Sequence, residues 1–590
     1  MKFSFDRYSL EGDFRTWAPP KWNLTSEADG TGLLTVEMTA KQPPAPEPFT
    51  LEFTFPRRGA VGRWIPAADR ATKYLAPDWD GSFETDLSLL QPTVCFFDGD
   101  GVNSAAVALS EVGRRLKITA GVRGDGMLRC RIDFFSRPEA PSEHYRFTMR
   151  IDRRKLPFHQ VLREMAEWYE AQPEFRPPPT PEAAWEPVFS SWYAYQQDIC
   201  DHELEAECVP AHAAGMTTLI TDDGWQTEEG GGGYAYCGDW KPAKRRFPDM
   251  KRHIDRVHSL GMRYLLWYSV PFIGVRSGNF ERFRGKYLYC RDDLGAWVLD
   301  PRFPEVREFL SGTYERALRE WGPDGFKLDF IDCFSSGGPD PAAAENYAGR
   351  DFRTVPEAVE CLLLEITEKL HRIRPDVLLE FRQPYFGPAM RRRGNLFRAG
   401  DCPNDLISNR LRTVDMRLCC GSVPVHSDMV CWSPEETPEE AAAQILNVLF
   451  SVPQISVRMR QLPETHRRML TFWLGFWREN RPALMSGRFQ PELPQWNYPL
   501  VSAEDCRSRI TVLYSPGLTV PVALHSGQAF RLVNASGSSR VTVEWNGVPR
   551  KACCFNTLGE PVGCIRLESG IQVIDIPVSG LLQVRAGSER

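Results

Sequence analysis

Between residues 187 and 459, short apolar strand-like runs alternate with amphipathic helical stretches, and this rhythm constrains the fold more than any other feature of the 590-residue chain. Eight strand candidates can be counted, at 187–195, 217–222, 263–270, 325–330, 377–384, 395–400, 422–427 and 454–459. Strands alternating with helices require a parallel sheet covered by those helices, because parallel neighbours need a long crossover connection. Eight strands in roughly 300 residues fit a (β/α)8 TIM barrel better than a doubly wound sheet. Pro424 makes the seventh the weakest, since proline cannot donate to a ladder.

The flanks read differently. Up to about residue 150, alternating segments such as Leu51-Glu52-Phe53-Thr54-Phe55 and Leu128-Arg129-Cys130-Arg131-Ile132-Asp133-Phe134 lie between Gly/Pro/Asp clusters, the pattern of a β-sandwich. A helix over 156–172 and the stiff run Pro177-Pro178-Pro179-Thr180-Pro181 follow. Beyond 488 short β segments return, with Asn546-Gly547 as a tight-turn signal. The expected architecture is multidomain: an N-terminal β-sandwich with linking helix over 1–175, a barrel over 176–488 and a small C-terminal antiparallel β-sandwich over 489–590.

The 71 basic and 77 acidic residues give a formal charge of -6 without long runs of either sign, which argues against nucleic acid or an anionic membrane as partner. The first residues form no apolar leader, and no run is long enough to span a membrane, so a cytoplasmic protein is expected. The sequence leaves a homo-oligomer open. Sixteen cysteines without a C-x-x-C are read as reduced, mostly buried thiols, with no metal site.

Strand ends carry the chemistry of barrels. Three candidate strands end in acids: Asp222-Asp223-Gly224-Trp225, Lys327-Leu328-Asp329, and Asp401 after Leu396-Phe397-Arg398-Ala399-Gly400. Retaining cleavage of a glycosidic bond needs two carboxyl groups about 5 to 5.5 Å apart, a nucleophile and an acid/base. In a barrel they should come from the ends of non-adjacent strands, and Asp329 after the fourth strand and Asp401 after the sixth do. Lys327 lies two residues before Asp329 on the same side of the strand and favours its ionised form. The acid needs a raised pKa, from burial beside apolar groups and other acids.

These residues, with Gly238-Asp239-Trp240, Arg246-Phe247-Pro248-Asp249-Met250-Lys251, Val298-Leu299-Asp300 and Pro304-Glu305-Val306-Arg307, resemble the glycoside hydrolase family 36 α-galactosidases in order and spacing. The resemblance runs over about 185–490. It implies a retaining exo-α-glycosidase acting on terminal α-linked galactose-like residues, with Asp329 as nucleophile, Asp401 as acid/base and no cofactor. It further implies that Asp222 and Asp223 bind the 4- and 6-hydroxyls, that Lys327 binds a ring hydroxyl, and that Trp240 and Trp267 form apolar walls. Trp225, which follows the acid pair, is counted among the substrate-binding residues, and His426, in Pro424-Val425-His426-Ser427, is placed near the mouth.

The chain departs from the family pattern in carrying Leu328 and Ile331 where a tryptophan and an asparagine are usual, and Glu380-Phe381-Arg382-Gln383-Pro384-Tyr385 in place of a Cys-Ser-Gly-Gly loop that touches the sugar's 2-position. Arg382 at such a strand end is suited to a sugar hydroxyl, or to a carboxylate or sulfonate on an unusual substrate. An α-N-acetylgalactosaminidase or other α-glycosidase, a transglycosylase, and a non-catalytic carbohydrate-binding protein therefore stay open as alternatives.

Plainer readings exist for most of these residues. Tryptophans are by default packing residues, a buried histidine is more often satisfied than active, and Asp401 can cap the following helix. Glu380 is expected to pair with Arg382. The run Gly230 to Gly233 lacks the Lys-Ser/Thr of a phosphate loop and reads as a mobile loop at the mouth.

Overall fold

The computed structural model describes residues 1–26, 30–67, 73–334 and 340–586. Near the N-terminus, strands between Lys2 and Asp152 form two six-stranded antiparallel sheets. Their inner faces share one core, which includes Leu34, Val36, Phe53, Phe55, Ile132 and Phe147. Phe49–Pro56 shows how the pattern works: Phe49, Leu51, Phe53 and Phe55 are buried and the residues between them are not. Helix α1 (Phe158–Ala171) then leads into the barrel.

All eight expected barrel strands form, though most are shorter than the sequence suggests. They are β1 (Val188–Ser190), β2 (Thr218–Thr221), β3 (Arg263–Ser269), β4 (Gly325–Asp329), β5 (Leu378–Arg382), β6 (Leu396–Arg398), β7 (Val425–His426) and β8 (Gln454–Ile455). Neighbours pair in parallel from β1 through to β7, and β8 pairs with β1. Bridges between His426 and Val452 and between Val430 and Ile455 nearly close the ring between β7 and β8. Pro424 stands just before β7, where it contributes only its carbonyl, accepting from the Phe397 amide. At Gly325 the strands approach so closely that a Cβ would lie 1.9 Å from the Leu378 carbonyl oxygen.

Helices α2 (Asp201–Ala214), α3 (Met250–Ser259), α4 (Pro304–Trp321), α5 (Val355–Ile373), α6 (Leu406–Cys419), α7 (Pro438–Leu446) and α8 (Glu464–Arg481) follow every strand except β5, after which only a short 3-10 turn at Met390–Arg392 intervenes. Between β3 and α4 the chain makes an excursion of three short strands, Phe272–Gly274, Tyr287–Arg291 and Ala296–Leu299. Sequence periodicity gave no sign of it.

The barrel interior is layered. Val188, Ile220, Leu265, Leu378 and Leu396 pack with Ala183 and Ala184 as an apolar plug. Two residues further along, the same strand faces carry Asp222, Trp267, Lys327, Glu380 and Arg398. Charge inside the barrel is thus confined to the end where the strands terminate.

The C-terminal strands form a seven-stranded and a three-stranded sheet. Most pairs are antiparallel. Ser508–Leu513 with Ala529–Asn534, and Thr519–Val522 with Arg540–Trp545, are parallel, because the chain crosses to the other sheet between them. Asn546-Gly547 accordingly links the two sheets and closes no hairpin. Cys553 and Cys564 face each other on paired strands and form a disulfide, against the expectation of reduced thiols throughout. The other fourteen cysteines are free.

Asp415 on α6 ties the three parts together. Its carboxylate accepts from Trp64 Nε1 (2.9 Å), Lys73 Nζ (2.6 Å) and Tyr498 Oη (2.6 Å), all buried. Replacing Asp415 by alanine leaves a buried ammonium without this partner, and we expect a loss of about 3 kcal/mol, read as a lower midpoint in denaturant.

Candidate active site

Asp329 ends β4 and is 7% exposed. Its Oδ2 accepts from Trp267 Nε1 (3.1 Å) on β3, and its Oδ1 accepts from the Phe330 amide (2.8 Å), from Arg382 Nε on β5 and from the Tyr385 hydroxyl (3.4 Å). Burial favours the neutral acid, but Arg382, Lys327 and Arg398 outweigh it and hold Asp329 well below the usual carboxylate range. Lys327, one layer deeper, pairs with Asp222 at 2.5 Å; burial acts against its charge, and Asp222 keeps its pKa above the ordinary value.

Arg382 therefore does not pair with Glu380. It forms an ion pair with Asp329, lies 3.7 Å from Asp332, and packs over the rings of Phe330 and Tyr385. Glu380 instead faces Gln454 (2.5 Å) and Arg398 (3.5 Å), and burial raises its pKa.

Asp401, after β6, is half exposed and accepts from Arg398 Nη1 at 2.8 Å. The same nitrogen donates to the fully buried Asp428 at 2.6 Å. Asp428 also accepts from Tyr193 Oη (2.9 Å) and the Cys402 amide (2.6 Å). Burial pushes Asp428 up, whereas at Asp401 Arg398 overcomes burial and pulls the carboxyl down. The raised pKa expected of an acid thus belongs, in the free chain, to Asp428. The two carboxyls share one guanidinium and titrate as a unit.

Asp223 points away from Lys327 and accepts from Gln197 Nε2 (2.7 Å) and Gln226 Nε2 (2.6 Å). Gly224 (φ +118°) makes this turn possible, since a Cβ there would lie 2.6 Å from the Gln197 carbonyl. Burial lifts Asp223 to about 6. Because its folded pKa exceeds the unfolded one, its contribution to stability is greatest at low pH and is lost as pH rises through about 4 to 6. Relative to wild type, Asp223→Asn should gain up to about 3 kcal/mol between about pH 4 and pH 7, measured by denaturation at both.

Three expected contacts lie elsewhere. Trp225 is fully buried, stacking on Trp240 (6.0 Å) and meeting Tyr268 and Trp321 edge-on. Tyr268 alternates with the inward Trp267, so this cluster lies outside the barrel, between β3 and α4. Trp240 sits mainly in the same cluster, 4.8 Å from Tyr268, and reaches Trp267 only edge-on. His426 is fully buried, with Nε2 on the Ala184 carbonyl (2.8 Å) and Nδ1 on Gln454 (3.3 Å), and burial depresses it to about 4. It faces the plugged end of the barrel.

Sequence reading passed over Arg398, Asp428 and Tyr234. The ring of Tyr234 stacks on Trp267 (5.8 Å) and meets Phe330 edge-on (5.1 Å). It directly follows the glycine run, whose Gly232 amide donates to Gln197 Oε1. Asp300 accepts from Arg302 and Arg350, and Arg307 grips Asp351.

No family model matches the chain. Over 145 residues it is 26% identical to the A type blood α-D-galactosamine galactosaminidase of Flavonifractor plautii, covering 21% of this chain and 13% of that protein. Over 150 residues it is 24% identical to an α-galactosidase of Lactobacillus acidophilus, covering 24% of this chain and 20% of the other. Both matches thus span well under two thirds of the curated relatives. The solved structure of the α-galactosidase from Lactobacillus brevis matches 99% of this chain and 85% of its own, with a TM-score of 0.63 at 15% identity. A GH36 α-galactosidase of Geobacillus stearothermophilus in complex with raffinose matches 98% and 83%, with a TM-score of 0.64 at 13% identity. The chain thus shares the fold of a solved GH36 α-galactosidase. Among the departures from the family pattern seen in the sequence, the one at β5 leaves Arg382 at the strand end, where it binds Asp329.

Proposed function

We propose that the chain is a glycoside hydrolase that removes a terminal α-linked galactose-like sugar by double displacement, with Asp329 as nucleophile and Asp401 as acid/base. The observation that carries this reading is Asp329: a carboxylate kept ionised in a nearly closed site, oriented by Trp267, Arg382 and Tyr385 at the end of β4. Asp329 attacks the anomeric carbon while Asp401 protonates the leaving oxygen; Asp401 then takes a proton from the water that releases the sugar. A sugar seated over Asp401 removes water from it and raises its pKa, which favours the protonated form that donates to the leaving oxygen.

Six carboxyl groups, Asp222, Asp329, Asp332, Glu380, Asp401 and Asp428, surround three cations, Lys327, Arg382 and Arg398. Arg382 is already engaged by Asp329 and faces Asp332, so the carboxylate or sulfonate substrate considered for it loses support. A neutral sugar fits. The likeness to a galactosaminidase and Asp332 Oδ1, buried without a hydrogen-bond donor, favour a 2-amino sugar as the second reading.

The test is proton NMR of the sugar first released from an aryl α-D-galactoside and from the corresponding α-D-galactosaminide. Release of the α anomer first supports double displacement and shows which substituent is preferred. Release of the β anomer first would overturn the mechanism, and no release from either substrate would overturn the function.

A further inference from the structure

A second cavity, of about 420 Å³, lies at the opposite end of the barrel, where the strands begin. Its walls come from all three parts of the chain: α1 supplies Arg163 and Glu170, Trp185 precedes β1, Arg417 belongs to α6, Val425 begins β7, and Phe489 opens the C-terminal strands. The volume is that of a small-molecule site.

Arg417 is the unusual group here. Its Nη1 donates to the carbonyls of Phe450 (2.9 Å) and Leu484 (2.6 Å), and its Nη2 to that of Met485 (2.9 Å). The guanidinium packs over the ring of Phe489 at 4.1 Å. Among the described residues it has no carboxylate partner, and burial alone pulls its pKa down to about 9. The nearby acids are already engaged. Glu170 accepts from the Ser422 amide and hydroxyl, and Glu167 lies 3.6 Å from Arg163.

Of the five N–H groups of Arg417, three are used by carbonyls. The remaining two are on Nε and Nη2, the edge with which a guanidinium grips a carboxylate or phosphate side-on. A partly buried cation without a counter-charge is costly, and an anion on this edge would relieve that cost. Trp185, Val425 and Phe489 provide apolar surface beside it.

We propose that this cavity binds a small organic anion, a carboxylate or phosphate monoester on an apolar or aromatic body, with the Nε and Nη2 edge of Arg417 holding the charged group. The site is separate from the carboxylates at the strand ends, and the proposal does not depend on the glycosidase reading.

Isothermal titration of the full chain with benzoate and with phenyl phosphate tests it, with benzyl alcohol as the uncharged control. Binding of at least one anion with a Kd below about 1 mM, and of benzyl alcohol at least tenfold more weakly, is expected. Arg417→Met should abolish anion binding. Since that change also frees three carbonyls and can impair folding, Ser486→Phe provides the second arm: this residue lines the cavity, is exposed, and lies outside the catalytic machinery. Ser486→Phe should weaken anion binding at least tenfold while turnover stays within twofold. Benzoate against phenyl phosphate distinguishes a carboxylate from a phosphate ligand. Absence of binding by both anions, equal binding of benzyl alcohol, or undiminished binding in Ser486→Phe would overturn the proposal.

Discussion

Asp329→Ala is expected to lower turnover of an aryl α-D-galactoside by about 10⁴-fold, and added azide should restore much of it. The substitution removes the attacking oxygen but leaves the groups that hold it, Arg382, the Tyr385 hydroxyl and the Trp267 indole N–H. Those groups form an anion site once the carboxylate is gone. A small anion in that position attacks from the side Asp329 occupied, so the rescued product should be the β-galactosyl azide, inverted once. Rescue that yields only free galactose would show that azide acts elsewhere. An Asp329→Ala protein that folds and keeps more than a tenth of wild-type activity would remove Asp329 from the role of nucleophile.

The positions of the barrel strands were legible as short apolar runs, and in five of them the inward residues Val188, Ile220, Leu265, Leu378 and Leu396 pack together as the plug. Asp329 was legible for the same reason, as a charge closing an apolar run. Arg398 sits in a comparable run and was passed over. What gives it meaning is Glu380 on β5 and Asp428 beyond β7, and nothing local announces either contact.

The mispairing of Arg382 with Glu380 has a geometric cause. Residues two apart share a strand face but stand nearly 7 Å from each other along it, whereas a neighbouring strand is about 4.8 Å away. The nearest opposite charge is therefore across the sheet, at Asp329. Trp225 was assigned to the sugar because it follows two acids. Only the outward phase of Tyr268, with which it packs, places it behind the barrel wall.

Arg382→Ala is expected to lower kcat about 100-fold and to produce a burst of about one equivalent of aryl alcohol that wild type lacks. Asp329 plays opposite parts in the two halves of double displacement: it loses negative charge as it attacks and regains it as it departs. A guanidinium bound to the free carboxylate stabilises the ionised form, which slows attack and assists departure. Removing a charge-assisted hydrogen bond of about 2.7 kcal/mol should therefore fall mainly on release of the sugar, and the glycosyl-enzyme should accumulate. Attack is not slowed by this loss, so kcat/KM should fall by less than kcat. The acidic limb of kcat/KM should also move up, because Asp329 then relies on Lys327 and Arg398 alone against burial. Arg382→Lys should recover part of kcat, as a point charge without the planar fork. If Arg382→Ala shows neither burst nor a change in kcat beyond twofold, the Arg382 to Asp329 pair is a packing feature, and the divergence at β5 must be explained by substrate contacts instead.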